Sequence, residues 1–265
     1  MEDMCYRYNR NLLIEGFGKE GQERLKAAKV LVIGAGGLGS PALFYLAAAG
    51  IGVIGVVDDD VVNITNLQRQ ILHATCDLGR RKTDSASEKL AALNPDVKIV
   101  LYNYRFTKEN AKKIINGSMG SDSVVIPDNA VCENPGGAYN FVIDCSDNYE
   151  TKLLINDVCV EMKQPYSHGA IVSMRGEVMT YVPGSACYRC VFETPPEDGI
   201  LMAAEQSGVL GSVAGIVGSI QATEVIKYLI GMNGLITNRI LIIDAQTMNF
   251  FSLKANKRNS CICDI

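Results

Sequence analysis

The chain has 265 residues, enough for one large domain or two small ones, and its 48% hydrophobic and 20% charged content suits an ordinary buried core. A net charge of -4 and a pI near 5.3 supply no general basic field, which argues against nucleic acid or an anionic membrane as partner. The polar start over residues 1–10 shows no export signal, so the nine cysteines are expected to be reduced, some as metal ligands, in a cytoplasmic protein.

In chain order, residues 8–29 read as a helix, with Leu12, Leu13, Phe17 and Leu25 set among charges. Residues 29–34 form a short apolar run that ends in glycine, the pattern of a buried parallel strand. A helix rich in Ala and Leu over 38–49 and a strand over 52–58 that ends in acids complete a βαβ unit. The alternation continues with a helix at 81–93, a strand at 97–101, a helix at 107–115, a strand at 141–144 and a helix at 149–162. This predicts an α/β, Rossmann-like, doubly wound and mostly parallel sheet.

Residues 116–140, rich in Gly, Ser, Asn, Asp and Pro, are expected to be a solvated surface loop or insertion. After Tyr166 the pattern changes. Residues 177–182 alternate like an antiparallel strand, and 240–244 with 248–253 read as a hairpin around Ala245-Gln246-Thr247. Antiparallel strands therefore belong to the C-terminal half. The most apolar long segment, 209–230, carries Gln221, Glu224 and Lys227, which marks a buried core helix rather than a membrane span. With no linker and no repeat, residues 1–265 read as one domain.

Gly34-Ala35-Gly36-Gly37-Leu38-Gly39 fits G-x-G-x-x-G between a strand and a helix. Glycines there permit a tight turn and let phosphate oxygens approach the backbone, and the helix start offers free N–H groups. Asp58, at the end of the second strand, is placed to accept hydrogen bonds from a ribose. These features suit an NAD-dependent oxidoreductase as well as an ATP enzyme. The cations that follow, Arg69, Arg80, Arg81 and Lys82, favour nucleotidyl transfer, where charge builds on phosphates, although each could be a solvated surface residue. Asp147, in Asp144-Cys145-Ser146-Asp147-Asn148 at the end of a later strand, suits either a Mg²⁺ ligand or a helix N-cap. His73 and His168 are expected to be structural or to line the substrate. Cys187-Tyr188-Arg189-Cys190 has the spacing of half a tetrahedral zinc site, the alternative being reduced free thiols.

Arg7-Tyr8-Asn9-Arg10, the glycine loop, the acids 58–60, Asn66-Leu67-Gln68-Arg69-Gln70, Lys82, the 144–148 motif and Cys187-x-x-Cys190 occur in this order. Together they resemble the ThiF/MoeB/HesA group, bacterial relatives of ubiquitin-activating enzymes, over nearly the whole chain. The resemblance implies an ATP-dependent adenylyltransferase that activates the C-terminal Gly-Gly carboxylate of a ubiquitin-like sulfur-carrier protein of the ThiS/MoaD type, releasing pyrophosphate. It implies that Gly34, Gly36, Gly37 and Gly39 form the nucleotide loop, that Asp58 binds ribose, and that Asp60 and Asn148 belong to the nucleotide site. Asn66, Gln68, Arg69 and Lys82 would surround the phosphates and Asp147 would ligate Mg²⁺. Arg10 would act in trans across a homodimer, Arg7 and Arg10 being otherwise an ordinary exposed helix face. Residues 1–150 would be the nucleotide-binding half and 151–265 the carrier-binding and zinc half.

The resemblance also implies a C-terminal pair that completes the zinc site with Cys187 and Cys190. Here the pair is Cys261 and Cys263, spaced Cys-x-Cys where the family has Cys-x-x-Cys. Some relatives carry a covalently reacting cysteine in a crossover segment, and Ala204 stands at that position in this chain. The loop at 195–199 is a candidate flap over the channel for the carrier's tail. A non-catalytic scaffold of the same fold is the remaining alternative, and intact Arg10, Arg69, Lys82 and Asp147 argue against it.

Overall fold

The computed structural model describes residues 6–125, 136–193 and 207–264. The segment expected as one N-terminal helix forms two, α1 (Asn9–Leu12) and α2 (Gly18–Ala27). Gly16 and Gly18 adopt φ of +79° and +54°, left-handed values that interrupt a right-handed helix. Then follow β1 (Lys29–Ile33), α3 (Gly39–Ala49), β2 (Val53–Val57), α4 (Lys82–Leu93), β3 (Lys98–Tyr102), α5 (Ala111–Ile115), β4 (Ser123–Val125), β5 (Phe141–Asp144) and α6 (Tyr149–Glu161). The second half contains β6 (Tyr166–Val172), β7 (Arg175–Tyr181), α7 (Tyr188–Val191), α8 (Gly211–Ile230), β8 (Arg239–Asp244) and β9 (Asn249–Lys254).

These strands form one nine-stranded sheet in the order β4-β3-β2-β1-β5-β6-β7-β8-β9. From β3 to β6 all pairings are parallel; β4 and β7 to β9 pair antiparallel. The order reverses between β1 and β5, and the carboxyl ends of those two strands define the crevice where ligands bind in open sheets of this kind. Helices α2, α3, α4 and α8 supply the core on one face, while α5 and α6 pack with the cysteine cluster on the other.

Two strands escape the sequence pattern. Strand β6 carries Ser167, His168 and Gly169, which read as polar or breaking, yet its first four residues are buried. Helix α8 explains Gly169, since a Cβ there would lie 2.5 Å from the Gln221 carboxamide. Strand β4 falls inside the segment expected as a loop, and Tyr139 at the far end of that segment is 4% exposed. Its hydroxyl lies 3.1 Å from that of Tyr102 and rests over Gly55, where a Cβ would come within 2.3 Å. Residues 126–135, including Cys132, lie outside the described residues, as does Cys5.

Helix α8 has the length and composition of a membrane span, and it is the core helix of this fold. Gln221 donates to the carbonyls of Asp144 and Ser167 at 2.8 and 3.2 Å. Glu224 accepts from the Thr180 hydroxyl and the Ile236 N–H at 2.7 and 2.6 Å, and pairs with Lys227. Its polar groups are thus matched to protein partners, as burial demands.

Asp144 at the end of β5 is fully buried and lies between two basic groups. Lys152 of α6 lies 3.3 Å from its carboxylate and also donates to the Gly169 carbonyl at 2.6 Å. His168 Nδ1 lies 3.0 Å away, and its Nε2 reaches Glu177 at 3.1 Å. Burial alone would raise the Asp144 carboxyl, but Lys152 and His168 outweigh it and hold the group down at about 2. A depressed carboxyl stabilises the fold above the unfolded pKa, about 3.9, and loses that contribution as pH falls towards the folded value. Asp144→Asn is therefore expected to lower stability by about 3 kcal/mol in urea unfolding at neutral pH, and the gap from wild type should narrow as pH drops from about 4 towards 2. Equal urea midpoints for the two proteins at neutral pH would contradict this account.

Candidate functional site

A crevice of about 890 Å³ opens at the carboxyl ends of β1 and β5. Its floor is the glycine loop. Gly34 takes φ +100°, and a Cβ there would sit 2.6 Å from the Cys145 carbonyl. Gly39 begins α3, and its Cβ would lie 2.0 Å from the Gly34 carbonyl, so this glycine packs the helix onto the strand and does not line the crevice. The N–H groups of Gly36, Gly37 and Leu38 have no acceptor among the described residues, as expected at the start of a helix, and all three residues line the crevice. Free N–H groups and a positive helix end suit an anion.

Asp58 Oδ2 accepts from the Ala35 N–H at 2.8 Å and Oδ1 from the Asp60 N–H at 2.9 Å. Burial raises its carboxyl pKa, against Lys82 and these two amides. Lys82, at the start of α4, is 5% exposed, and its Nζ pairs with the exposed Asp60 at 2.8 Å. Arg69 donates one guanidinium N–H to the Thr65 carbonyl at 3.0 Å, leaving the rest of its fork to the crevice. Its turn packs tightly under α8, where a Cβ on Gly211 would come within 2.4 Å of the Gln68 carbonyl.

The N-cap of α6 is Asn148, whose side chain accepts from the Thr151 N–H at 2.9 Å. Asp147 is therefore not the cap; it is exposed on the crevice wall, with the Asn148 amide at 3.3 Å as its only hydrogen-bond partner among the described residues. The crevice thus brings together Gly34, Gly36, Gly37, Asp58, Asp60, Gln68, Arg69, Lys82, Asp147 and Asn148. Asn66 is not among the lining residues, because its carboxamide accepts from the Asn63 N–H at 3.1 Å and closes a turn. Arg10 does not line it either. It is exposed on α1, beside Tyr8, which is buried against Gly50 and anchors this segment to Asn94 at 2.7 Å. Close to α1 an apolar hollow lies between α3 and α8, lined by Asn11, Tyr45 and Ile226 among others.

Gln70 is a lining residue that the sequence reading quoted in a motif without giving it a role. It is 5% exposed, and its Oε1 is buried with no hydrogen-bond partner among the described residues. A bound ligand donor would meet that need. The sequence signal available was its place in the 66–70 run.

Beside α6 the thiols of Cys187, Cys190, Cys261 and Cys263 lie within 4.8 Å of one another. Sulfur–sulfur distances of 3.6 Å for Cys187–Cys261, 4.0 Å for Cys187–Cys190 and 3.4 Å for Cys190–Cys263 bracket the roughly 3.8 Å edge of a tetrahedral zinc–thiolate site. A short 3-10 turn at Ile262–Asp264 bends the tail enough for a Cys-x-Cys pair to face one centre. Burial pushes the Cys187 thiol far up and that of Cys263 to about 11, so a metal there must displace protons. The cluster touches the crevice through Tyr188, which stacks on His168 at 4.1 Å and lines the crevice wall. Ala204 and the loop at 195–199 lie outside the described residues.

Residues 8–264 match the family described as ThiF. The chain is 40% identical over 255 residues to the SAMP-activating enzyme E1 of Haloferax volcanii, spanning 96% of this chain and 87% of that protein. It is 38% identical over 261 residues to the sulfur carrier protein adenylyltransferase of Thermus thermophilus, spanning 96% of this chain and 89% of that one. Adenylyltransferase and sulfurtransferase MOCS3 of Aedes aegypti is 36% identical, and the match covers 97% of this chain but 55% of that longer protein. Among solved structures, E. coli MccB with MccA-N7isoASN superimposes with a TM-score of 0.78 at 22% identity, covering 98% of this chain and 74% of MccB, a likeness of fold. The chain belongs to the ThiF family, and with it to the nucleotidyltransferases.

Proposed function

We propose that this enzyme uses Mg-ATP to adenylate the C-terminal Gly-Gly carboxylate of a ubiquitin-like sulfur-carrier protein of the ThiS/MoaD type, releasing pyrophosphate, in the cytoplasm. The observation that carries the reading is the convergence of free loop N–H groups, Lys82, Arg69 and exposed Asp147 on one crevice. Residues 1–150 hold the nucleotide, and 151–265 supply the carrier's wall and the metal cluster.

In this reading the phosphates lie over Gly36 and Gly37, with Lys82 and Arg69 as flanking cations, and Asp58 meets the ribose. Asp147 holds Mg²⁺, which supplies positive charge to the phosphates. The carrier's carboxylate, already ionised, attacks the α-phosphorus in line; the bond to pyrophosphate breaks and an acyl-adenylate forms. No general base is needed, so catalysis rests on position and charge. Arg10 lies away from its own crevice, which fits a role in the site of a second copy seated on the hollow between α3 and α8. An oxidoreductase would leave Arg69, Lys82 and Asp147 without a task.

Lys82→Ala and Arg69→Ala are each expected to slow carrier-dependent ATP–pyrophosphate exchange by about 10²–10³-fold. Exchange at the wild-type rate in both variants, or none in wild type with any Gly-Gly carrier, would refute the assignment. Arg10→Ala and Asp147→Ala are each expected to be inactive alone. Mixed and re-equilibrated they should recover about a quarter of wild-type activity, because only mixed dimers rebuild one intact site. Recovery of nothing, with mixed dimers confirmed by native mass spectrometry, would exclude Arg10 from acting in trans.

The cysteine cluster we read as a structural zinc site that ties the tail to the middle of the chain. Four thiolates leave no open position for catalysis. Purified protein should contain one zinc per chain by elemental analysis, and Cys263→Ser should lower both the zinc content and the midpoint of thermal unfolding. Full zinc content in that variant would exclude Cys263 as a ligand.

A further inference from the structure

The mechanism above uses neither histidine, yet His73 sits directly beneath the nucleotide loop. It is 5% exposed, on the segment between the Arg69 turn and α4. Its Nε2 lies 2.9 Å from the Ala35 carbonyl and its Nδ1 2.9 Å from the Ser85 hydroxyl. Lys89 reaches the same hydroxyl at 2.9 Å and also pairs with Asp77, which is 1% exposed.

Hydrogen-bond chemistry constrains the protons along this chain. A lysine ammonium can only donate, so Ser85 Oγ accepts from Lys89. The Ser85 proton has two acceptors in reach, His73 Nδ1 and the Asp77 carboxylate. Nε2 must carry the ring proton, because the Ala35 carbonyl can only accept. This is a neutral imidazole of a single tautomer. Burial lowers the His73 pKa, and Lys82 and Lys89 lower it further, against Asp77 and the Ala35 carbonyl.

The consequence lies in the peptide between Ala35 and Gly36. In a planar trans peptide the N–H points opposite to the C=O. Holding the Ala35 carbonyl inward against His73 therefore turns the Gly36 N–H outward. That N–H has no acceptor among the described residues, and Gly36 lines the crevice. The preceding peptide is held separately, by Asp58 on the Ala35 N–H.

We infer that His73 is a positioning residue for nucleotide binding: through Ser85 and the Asp77–Lys89 pair it locks the Ala35 carbonyl and so aims the Gly36 N–H at a bound phosphate. The inference rests on the nucleotide reading of the crevice and adds a residue to it. It separates the phosphate-directed part of the loop from the part that Asp58 holds.

Calorimetric titration of the full-length protein with Mg-ATP and, separately, with adenosine tests it. His73→Leu is expected to weaken ATP about 10-fold and leave adenosine within about 2-fold. His73→Gln, whose amide can restore a donor near the Nε2 position, should recover most of the loss. Ser85→Ala, a smaller change that removes only the hydroxyl bound to Nδ1, should weaken ATP about 3-fold. In turnover, the loss should appear in KM for ATP and not in KM for the carrier. Unchanged ATP affinity in folded Ser85→Ala and His73→Leu, judged by circular dichroism, overturns the proposal. If His73→Leu does not fold, Ser85→Ala and His73→Gln decide: wild-type affinity in Ser85→Ala, or an equal loss for adenosine and ATP in either variant, also overturns it. Wild-type protein that binds no ATP would instead refute the nucleotide reading itself.

Discussion

The architecture depends on one close approach. Helix α3 can start at the crevice only because Gly39 lets its backbone touch the Gly34 carbonyl, and Gly34 in turn lies against the Cys145 carbonyl at the end of β5. Any side chain at 34 or 39 would push the helix away from the sheet. With the helix seated, the unpaired N–H groups at its start lie at the crevice beyond the carboxyl ends of β1 and β5. Helix α8 locks the arrangement from above. Gly218 permits contact with the Leu38 carbonyl, where a Cβ would intrude to 2.2 Å, and Gly37 meets Ala214. The same helix start is thus fixed by the strand below it and by a second helix across it.

The second half of the chain is joined to this point by polar contacts. Asn156 of α6 accepts from the Tyr166 hydroxyl on β6 and from the Tyr188 N–H in the cysteine turn, both at 2.8 Å. Arg189 in the same turn pairs with Asp157 at 2.5 Å. A metal that gathers the cysteines would therefore also fix Tyr188, which lines the crevice, and through its ring contact the buried His168, whose Nε2 reaches the lining residue Glu177. A four-thiolate metal site would be structural in its ligand set, and what it would structure includes Tyr188 and Glu177 of the crevice wall.

What the sequence disclosed follows from how local each cause is. The glycine loop, the acid after β2 and the parallel strands were legible because the chemistry is written within a few residues, as glycines at a tight turn or an unbroken apolar run. Strand β6 was not legible. Its His168 and Gly169 are explained only by Asp144, Glu177 and Gln221, which come from three other elements. Tyr139 was hidden in the same way, since its burial depends on Gly55 far away in sequence. At the site, Asp147 and Asn148 are adjacent and either could cap a helix. The backbone assigns the cap to Asn148 and leaves Asp147 to the crevice. Asn66 shows the converse, a motif residue whose own carboxamide is spent on a turn. His73 was visible as a residue, but its partners Ala35 and Ser85 lie 38 and 12 positions away, and only folding brings them together.

The charges around the crevice are arranged before any ligand arrives. Lys82 is already desolvated, so an anion that replaced Asp60 as its partner would require little reorganisation of its surroundings. Asp60 is exposed and can return to water when displaced, whereas Asp58 is held by the Ala35 and Asp60 amides and stays. A buried cation paired with a mobile, solvated acid costs less to open than one paired with a buried acid, because only one of the two groups would be left uncompensated. Asp77 and Lys89 make the contrasting pair. The buried Asp77 also accepts from the Ala74 N–H at 2.7 Å and from Arg80, and nothing in the crevice competes for it. One ion pair of α4 thus joins a buried cation to an exposed acid and the other joins a lysine to a buried acid, and the second stands behind the glycine loop through Ser85 and His73.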